Sequence, residues 1–337
     1  MDLKAYTRED LLRRCNPASV YGARRVVVAD GRGQGQRLVE VKTAAGLRAS
    51  FLEDKCLDIL DLEFKGVNLA FLSKNGLMAL SHPETNTFSQ YWTGGFLSTC
   101  GLRNSGPPCT VNDEFFPLHG RIGVTPAEHV SVHVDDSAVT ISGTIRETAL
   151  FGHWLEMERS IVIPVDGAKI TVKDKVHNLG PEAEPVFMLY HINFGFPFLS
   201  EELTVDFPEG EIKGRTPEAQ AAINDRTRFT APKDGEAENV FFHFPNDENP
   251  KVRLFNPNLS ISAEIQYERS RLPVLTQWKC MRSGDYALGI EPGTSLIRGR
   301  AKELEDGYDT KVPGFGTLEY GFTINFSGRS LLFGDSL

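Results

Sequence analysis

Apolar and polar residues alternate with a period of two along most of the chain, and this alternation constrains the fold more than any other feature. Successive residues of a strand point to opposite faces, so the alternation predicts strands with one buried and one solvated face. In 130–145, apolar residues alternate from Val130 to Val134, stop at two aspartates and resume at Val139, which predicts a hairpin. A second hairpin is predicted around the Asp-Gly pair at 166–167, a dipeptide suited to tight turns.

Strands dominate the rest of the chain as well. Only two stretches resemble helices, namely 8–15, which Thr7 could cap, and 216–228, which starts with Thr-Pro. Many short strands with turn signals predict an all-β antiparallel sandwich. Further strands are predicted at 24–30, 38–52, 57–64, 185–193, 240–244, 252–255, 259–267, 274–280, 286–291 and 317–326.

The region of about 200–239 is polar, acidic and punctuated by Gly and Pro. It is typical of an insertion between core strands and not of a linker between domains. Length alone would suggest two domains, but single β-sandwich domains are often longer than the typical domain. We therefore expect one domain over 1–337, with a short N-terminal helix at 8–15.

Charge and composition exclude several kinds of partner. The net charge is −9, from 36 basic and 45 acidic residues, and no basic patch stands out, so nucleic acid is not expected as a partner. No stretch has about 18 consecutive apolar residues and the N-terminus lacks a signal-like apolar core, so we expect a cytoplasmic protein without a membrane partner. The five cysteines form no C-x-x-C pair, and no metal site is predicted.

The glycine-rich run DGRGQGQ superficially suggests a phosphate-binding loop. Such a loop requires a helix immediately after the glycines, whereas QRLVEVK alternates like a strand. The run is therefore interpreted as a hairpin turn.

Dense polar and glycine content interrupts the alternation at 94–106, 117–123 and 189–197. In the last of these, His191 and Asn193 share a strand face with apolar residues, where packing would favour apolar side chains. A cleft lining would explain them. The alternative is a buried histidine that bonds to a neighbouring carbonyl.

A fourth segment, 285–294, ends an apolar strand at Glu291, and Gly289 and Ala287 lie on the same face. Small residues beside a carboxylate would leave a hollow that a ligand pocket requires. The alternative is an exposed glutamate at a strand end.

The neighbouring run TQWKCM places Gln277 and Lys279 on one face, where Gln277 could hold sugar hydroxyls. Trp278 lies on the other face and is interpreted as a core residue more than a stacking platform.

Together these residues suit proton transfer on a polyhydroxylated ligand. A histidine with a pKa near neutrality can give a proton and an ionised carboxylate can accept one. Neither step needs a cofactor, and none is predicted.

Four motifs, TCGLRNSG, LHGRIG, LYHINFGFP and IEPGT, carry a family resemblance in that order along the chain. With them the sequence resembles the galactose mutarotase-like superfamily, specifically a divergent branch of aldose 1-epimerase proteins known by the label DUF4432. The resemblance implies an antiparallel β-supersandwich with a sugar lying across one sheet. It also implies that His191 protonates the ring oxygen while Glu291 takes the proton of the anomeric hydroxyl.

The resemblance further implies that His119 holds a sugar hydroxyl. The predicted partner is a small-molecule carbohydrate, and a homodimer is left open. The aspartate with which galactose mutarotases hold the sugar has no clear counterpart, so the sugar is not assigned. The full predicted set of substrate-binding residues is His119, Arg103, Asn104, Arg121, Asn193, Gln277 and Lys279.

Three other functions remain open at this level. The chain could be a sugar-binding module without turnover, since a fold does not imply a function. It could be an epimerase of a keto sugar, sugar acid or sugar phosphate. A lyase or glycosidase would require a second carboxylate close to Glu291, and the sequence identifies none.

Overall fold

The computed structural model describes residues 7–79, 88–308 and 310–328, and this part of the chain contains 23 β-strands. The first twelve are β1 Gly22–Val27, β2 Arg37–Lys42, β3 Leu47–Leu52, β4 Asp58–Phe64, β5 Val67–Asn68, β6 Leu97–Cys100, β7 Cys109–Val111, β8 Glu114–Phe116, β9 Glu128–Val134, β10 Ala138–Thr148, β11 Trp154–Pro164 and β12 Lys169–Asn178. The others are β13 Glu184–Pro185, β14 Leu189–Phe194, β15 Thr204–Asp206, β16 Gly210–Gly214, β17 Asn239–Pro245, β18 Lys251–Asn256, β19 Ile261–Tyr267, β20 Val274–Arg282, β21 Asp285–Gly293, β22 Lys311–Val312 and β23 Thr317–Gly328.

Three sheets carry the architecture. They have five strands (β1-β2-β3-β4-β5), eight strands (β15-β18-β19-β23-β12-β11-β10-β9) and six strands (β16-β17-β20-β21-β14-β6), and two small pairs, β13-β22 and β7-β8, accompany them. Neighbouring strands in the three sheets run antiparallel, as in β11-β12 and β14-β21. The prediction of an all-β antiparallel fold is therefore confirmed.

Helices are short and peripheral in the described residues: α1 Arg8–Leu12, α2 Phe88–Tyr91, α3 Pro217–Ala221 and α4 Arg300–Glu305, with single 3-10 turns at Pro17–Ser19, Ile122–Val124 and Ile223–Asp225. Thr7 caps α1 through a reciprocal capping box with Asp10, but α1 is shorter than the predicted 8–15. The predicted helix at 216–228 is likewise broken into α3 and a 3-10 turn after Ala222. None of the helices seen in the described ranges has the length and apolar character needed to span a bilayer.

Both predicted hairpins are present, as β9-β10 and β11-β12, and the glycine-rich run joins β1 to β2. The predicted strand at 38–52 was wrong in one respect, because it is a hairpin of β2 and β3. Gly46 turns the chain there with a φ of +88°, a conformation that glycine adopts at no steric cost.

The predicted insertion at about 200–239 is built into the sheets. Its strand β15 forms one edge of the eight-stranded sheet, and β16 forms one edge of the six-stranded sheet. Pairing with core strands satisfies backbone groups that a free loop would have to expose to water.

One hydrophobic cluster contains residues from all three large sheets, including Phe51, Ile161, Tyr190 and Ile290. The expectation of a single domain over 1–337 stays a prediction. The site described below lies on the face of the six-stranded sheet that points away from this cluster.

A buried charged cluster ties the three sheets together. Arg159 on β11, 1% exposed, donates to Asp174 on β12 at 2.7 and 2.9 Å and to Asp58 on β4 at 2.9 Å. Thr99 on β6 donates its hydroxyl to Asp58 at 2.6 Å, and Tyr190 on β14 donates to Asp174 at 2.7 Å. Burial raises the pKa of Asp58 to about 6, so this carboxyl remains mostly ionised at neutral pH.

We expect Arg159→Met to lower the free energy of unfolding by about 3–5 kcal/mol, because two buried carboxylates would lose their counter-charge. The matched control is Arg146→Met on the neighbouring strand β10. Arg146 also bridges two carboxylates, Glu128 and Glu156, but it is 42% exposed, and its loss should cost less than about 1 kcal/mol. Chemical denaturation of both variants would test this, and equal losses would contradict a central role for the buried cluster.

Candidate active site

His191 and Glu291 face each other on adjacent strands. The antiparallel register of β14 and β21 pairs Ile192 with Ile290 and Asn193 with Gly289, which places His191 directly opposite Glu291. His191 Nε2 lies 3.2 Å from Glu291 Oε1, and the two residues are 7% and 1% exposed. The imidazole and the carboxylate predicted from the sequence are therefore in contact.

Gly289 makes room for the Glu291 carboxylate. A Cβ atom at position 289 would lie 2.2 Å from Glu291 Oε1 and 3.0 Å from the Cβ of Trp278, the residue opposite on β20. The hollow predicted above Gly289 is thus filled by the carboxylate itself, and the small residue fixes where the carboxylate lies.

Aromatic rings enclose His191. The ring centroids of Trp92 and Trp278 each lie 5.5 Å from the centroid of the His191 imidazole, and the centroid of the His119 ring lies 6.0 Å from it. The ring centroids of Phe88 on α2 and His119 are 5.4 Å apart. Trp278, interpreted from the sequence mainly as a core residue, is only partly buried and forms one wall of the site.

Burial sets the protonation of the pair. It lowers the pKa of His191 to about 3, an effect that the nearby His119 strengthens and the Asn193 amide opposes. Burial also raises the pKa of Glu291 well above its ordinary value; the charge of Glu238 raises it further and that of Arg215 lowers it. Both shifts disfavour the charged form of the group concerned, and the pKa of His191 differs from the near-neutral value expected from the sequence.

Among the described residues, several buried polar atoms on this face have no hydrogen-bond partner: His191 Nδ1, Asn193 Oδ1, Thr276 Oγ1 and Glu291 Oε1, whose 3.2 Å contact with His191 Nε2 is not aligned as a hydrogen bond. Thr276 lies opposite Glu291 on β20, and Asn193 donates its amide to the carbonyls of Gly95 and His191 at 3.0 Å. Buried polar atoms are normally paired. A ligand rich in hydroxyl groups could supply the missing partners.

Gln277 and Lys279 lie on the other face of the six-stranded sheet from His191 and Glu291. The prediction that they bind the same ligand as the pair is corrected accordingly. Both side chains point to the opposite side of β20. Gln277 bonds to His243 at 3.1 Å and to the Arg226 carbonyl at 2.7 Å, while Lys279 donates to the carbonyls of Asp225 and Arg228. They anchor the insertion against the sheet.

Arg103, Asn104 and Arg121 organise the loop that carries His119. Arg103 pairs with Glu114 and Glu184. The Asn104 amide bonds to the Pro117 carbonyl at 2.7 Å and accepts from the Arg300 backbone, and Arg121 donates to the Phe115 carbonyl at 2.8 Å. Of the predicted substrate-binding residues, the structure brings only His119 and Asn193 to the pair.

Sequence reasoning missed four residues near the pair: Trp92, Phe88, Arg215 and Glu238. Glu238 accepts a hydrogen bond from the Trp278 indole at 2.7 Å. Trp92 lies two residues before the start of the 94–106 motif, so an aromatic residue close to that motif was an available signal. Arg215 and Glu238 belong to the insertion, and no pattern in the sequence showed which face they would occupy.

No metal-binding arrangement occurs in the ranges that the structure describes, where no three His, Cys, Asp or Glu side chains form a suitable group. Cys100 lies on the same face as the pair, opposite Leu189. Burial, followed by the charge of Glu291, raises the pKa of the Cys100 thiol well above its ordinary value, which disfavours the nucleophilic thiolate.

Comparison with known proteins supports the fold. A family described as "Domain of unknown function (DUF4432)" matches residues 33–325. No curated protein matches the chain in sequence.

Similar solved structures include a "putative aldose 1-epimerase" from Klebsiella pneumoniae, with a TM-score of 0.85 and 21% identity over 94% of this chain and 87% of that one. A galactose mutarotase-like protein from Clostridium acetobutylicum has a TM-score of 0.68 and 14% identity, over 92% of this chain and 100% of that one. A galactose 1-epimerase from Lactobacillus acidophilus has a TM-score of 0.63 and 11% identity, over 91% and 99%. At these identities the likeness establishes the fold, which is galactose mutarotase-like as the resemblance implied.

His119 is partly buried, and the shift of its pKa predicts a measurable dependence of stability on pH. Burial, assisted by the charge of Arg215, lowers its pKa to about 4 from the ordinary 6.5. Between these values the unfolded chain binds a proton at this residue and the folded chain does not, so its contribution to stability is present above pH 6.5 and is lost as the pH falls towards 4. Relative to a non-titrating His119→Gln variant, we expect the free energy of unfolding to fall by roughly 1.4 kcal/mol per pH unit in this window. Denaturation of both proteins at about pH 7.5 and about pH 5 checks this, and a constant difference would contradict a buried neutral imidazole.

Proposed function

Since this chain belongs to the DUF4432 family and has a galactose mutarotase-like fold, we propose that it is an isomerase of the aldose 1-epimerase type. In this proposal it interconverts the anomers of a sugar by ring opening and reclosure. The observation that carries the proposal is the 3.2 Å contact between His191 Nε2 and Glu291 Oε1 on a face walled by aromatic rings.

The proposed reaction moves two protons. Glu291 takes the proton of the anomeric hydroxyl, His191 gives a proton to the ring oxygen, and the bond between C1 and the ring oxygen breaks to leave an open-chain aldehyde. Rotation about the C1–C2 bond presents the other face of the carbonyl. The same steps in reverse close the ring as the other anomer, with no net oxidation and no proton gained or lost.

The pair carries one proton in every step. Before ring opening the proton is on His191 and Glu291 is ionised; in the open-chain state it is on Glu291 and His191 is neutral. Burial favours the second arrangement, because a low-dielectric site disfavours separated charges. The neutral pair therefore matches the open-chain state, and a positive charge such as that of Arg215 favours the ionised carboxylate that starts the reaction.

Aromatic walls support carbohydrate as the ligand class. Trp92 and Trp278 flank His191 and present apolar surface beside the unpaired polar atoms of His191, Asn193 and Glu291. A sugar offers both apolar C–H faces and hydroxyl groups to such a site. The same walls favour the second candidate function, a sugar-binding module without turnover.

We expect Glu291→Gln and His191→Gln each to slow anomer exchange by on the order of 10²-fold to 10⁴-fold, because each removes one positioned proton-transfer group. Exchange NMR on a panel of free, oxidised and phosphorylated sugars measures the rate. The controls are Glu319→Gln and His133→Gln, at side chains that are 60% and 70% exposed on the eight-stranded sheet. Sugar binding without acceleration by the wild-type protein would support the binding-module alternative instead.

Gly289→Ala tests the position of the carboxylate without removing it. The new methyl group would overlap Glu291 Oε1, so Glu291 must turn away from His191. We expect kcat to fall by at least about tenfold, since small misplacements of catalytic groups reduce rates strongly. Circular dichroism would verify that the sheet is retained, and an unchanged kcat in a folded variant would rule out the proposed geometry.

A further inference from the structure

Arg215 belongs to the same face of the six-stranded sheet as the pair. It directly follows the edge strand β16, and its backbone N–H bonds to the Val240 carbonyl at 2.9 Å, which extends the β16-β17 register by one residue. Val240 lies opposite Trp278, and Trp278 lies opposite Gly289. Residues in register share a face, so Arg215 is placed in one row across the sheet with Trp278 and Gly289.

The row gives a length scale. Three strand spacings of about 4.8 Å separate the backbones of Arg215 and Gly289, or roughly 14 Å in total. A span of this size can hold a pyranose ring with a substituent between the Arg215 backbone and the pair.

Arg215 is exposed, and no carboxylate in the described ranges forms an ion pair with its side chain. Its charge nevertheless acts on the site, since it lowers the pKa of both His119 and Glu291. Glu238, an acidic residue of the insertion whose charge also acts on Glu291, accepts a hydrogen bond from the Trp278 indole instead. Among the residues that the structure describes, Arg215 is therefore a cation at the rim of the site without an ion-pair partner.

A guanidinium group binds carboxylate and phosphate through two parallel hydrogen bonds, which gives both affinity and orientation. We propose that Arg215 determines specificity by binding an anionic substituent, carboxylate or phosphate, of the sugar whose anomeric carbon reacts at His191 and Glu291. The inference rests on the proposed function for the placement of the anomeric carbon. It identifies the substrate class as sugar acids or sugar phosphates.

Anomer exchange on a matched panel tests the inference. The panel contains a neutral hexose, the corresponding uronic acid and the corresponding 6-phosphate, so that its arms distinguish the two anions. For Arg215→Gln we expect KM to rise about tenfold to a hundredfold for the preferred anionic sugar, the range for a lost charged hydrogen bond, and less than about threefold for the neutral sugar. Arg215→Lys should retain part of the preference because the charge remains while the paired geometry is lost.

The matched control is Arg228→Gln. Arg228 is also an exposed arginine of the insertion, but its backbone carbonyl accepts from Lys279 on the opposite face of the sheet. This variant should leave KM unchanged for every sugar. Because Arg215 is exposed, added salt should weaken the preference of the wild-type protein for the anionic sugar. An equal rise in KM for neutral and anionic sugars in Arg215→Gln, or no rise, would overturn the inference.

Measurements of sugar binding can test this inference independently of the proposed function. If no sugar shows faster anomer exchange, the proposed function fails, and calorimetric titration of the same three sugars still tests Arg215. Weaker binding of an anionic sugar to Arg215→Gln than to the wild-type protein, with Arg228→Gln unaffected, supports the inference without turnover. Absence of any preference for an anionic sugar in the wild-type protein overturns it even if neutral sugars turn over.

Discussion

The buried contact of Arg159 with Asp58 and Asp174 is the interaction on which the rest of this structure depends. It joins strands of the five-stranded and eight-stranded sheets, and Tyr190 and Thr99 connect it to the six-stranded sheet. Such a cluster is stable only if all its members are in place, because an unpaired buried charge is far more costly than a paired one. The relative position of the three sheets is therefore specified by polar geometry as well as by apolar packing.

The same cluster fixes the strand that carries the site. Tyr190 points into the core and bonds to Asp174, so its neighbour His191 must point to the other face of β14, towards Glu291. Gly289 then confines the Glu291 carboxylate, and the enclosing rings remove both groups from water. Burial lowers the pKa of His191 and raises that of Glu291, so it favours the neutral form of both groups.

Alternation of apolar and polar residues was sufficient to predict the antiparallel fold, both long hairpins and the two residues of the pair. It also separated Gln277 and Lys279 from Trp278 correctly, but a period of two cannot tell which face of a strand borders a ligand, and the wrong face was chosen. Arg159 and Asp174 occupy core-facing positions of their strands, so the buried cluster left a signal that was not used. The place of Arg215 depends on which strand forms the edge of a sheet, and this is a property of long-range pairing that local patterns do not contain.

The segment of about 200–239 contributes an outer strand to two different sheets and brings Arg215 and Glu238 to the rim of the site. Outer strands have a neighbour on one side only, so changes in their length or sequence disturb few other contacts. Under the proposed function, ligand preference and proton transfer are thus encoded in separate parts of the chain. Evolution could replace this excursion, and with it the charge presented to a ligand, while the interior strands and their chemistry are inherited unchanged.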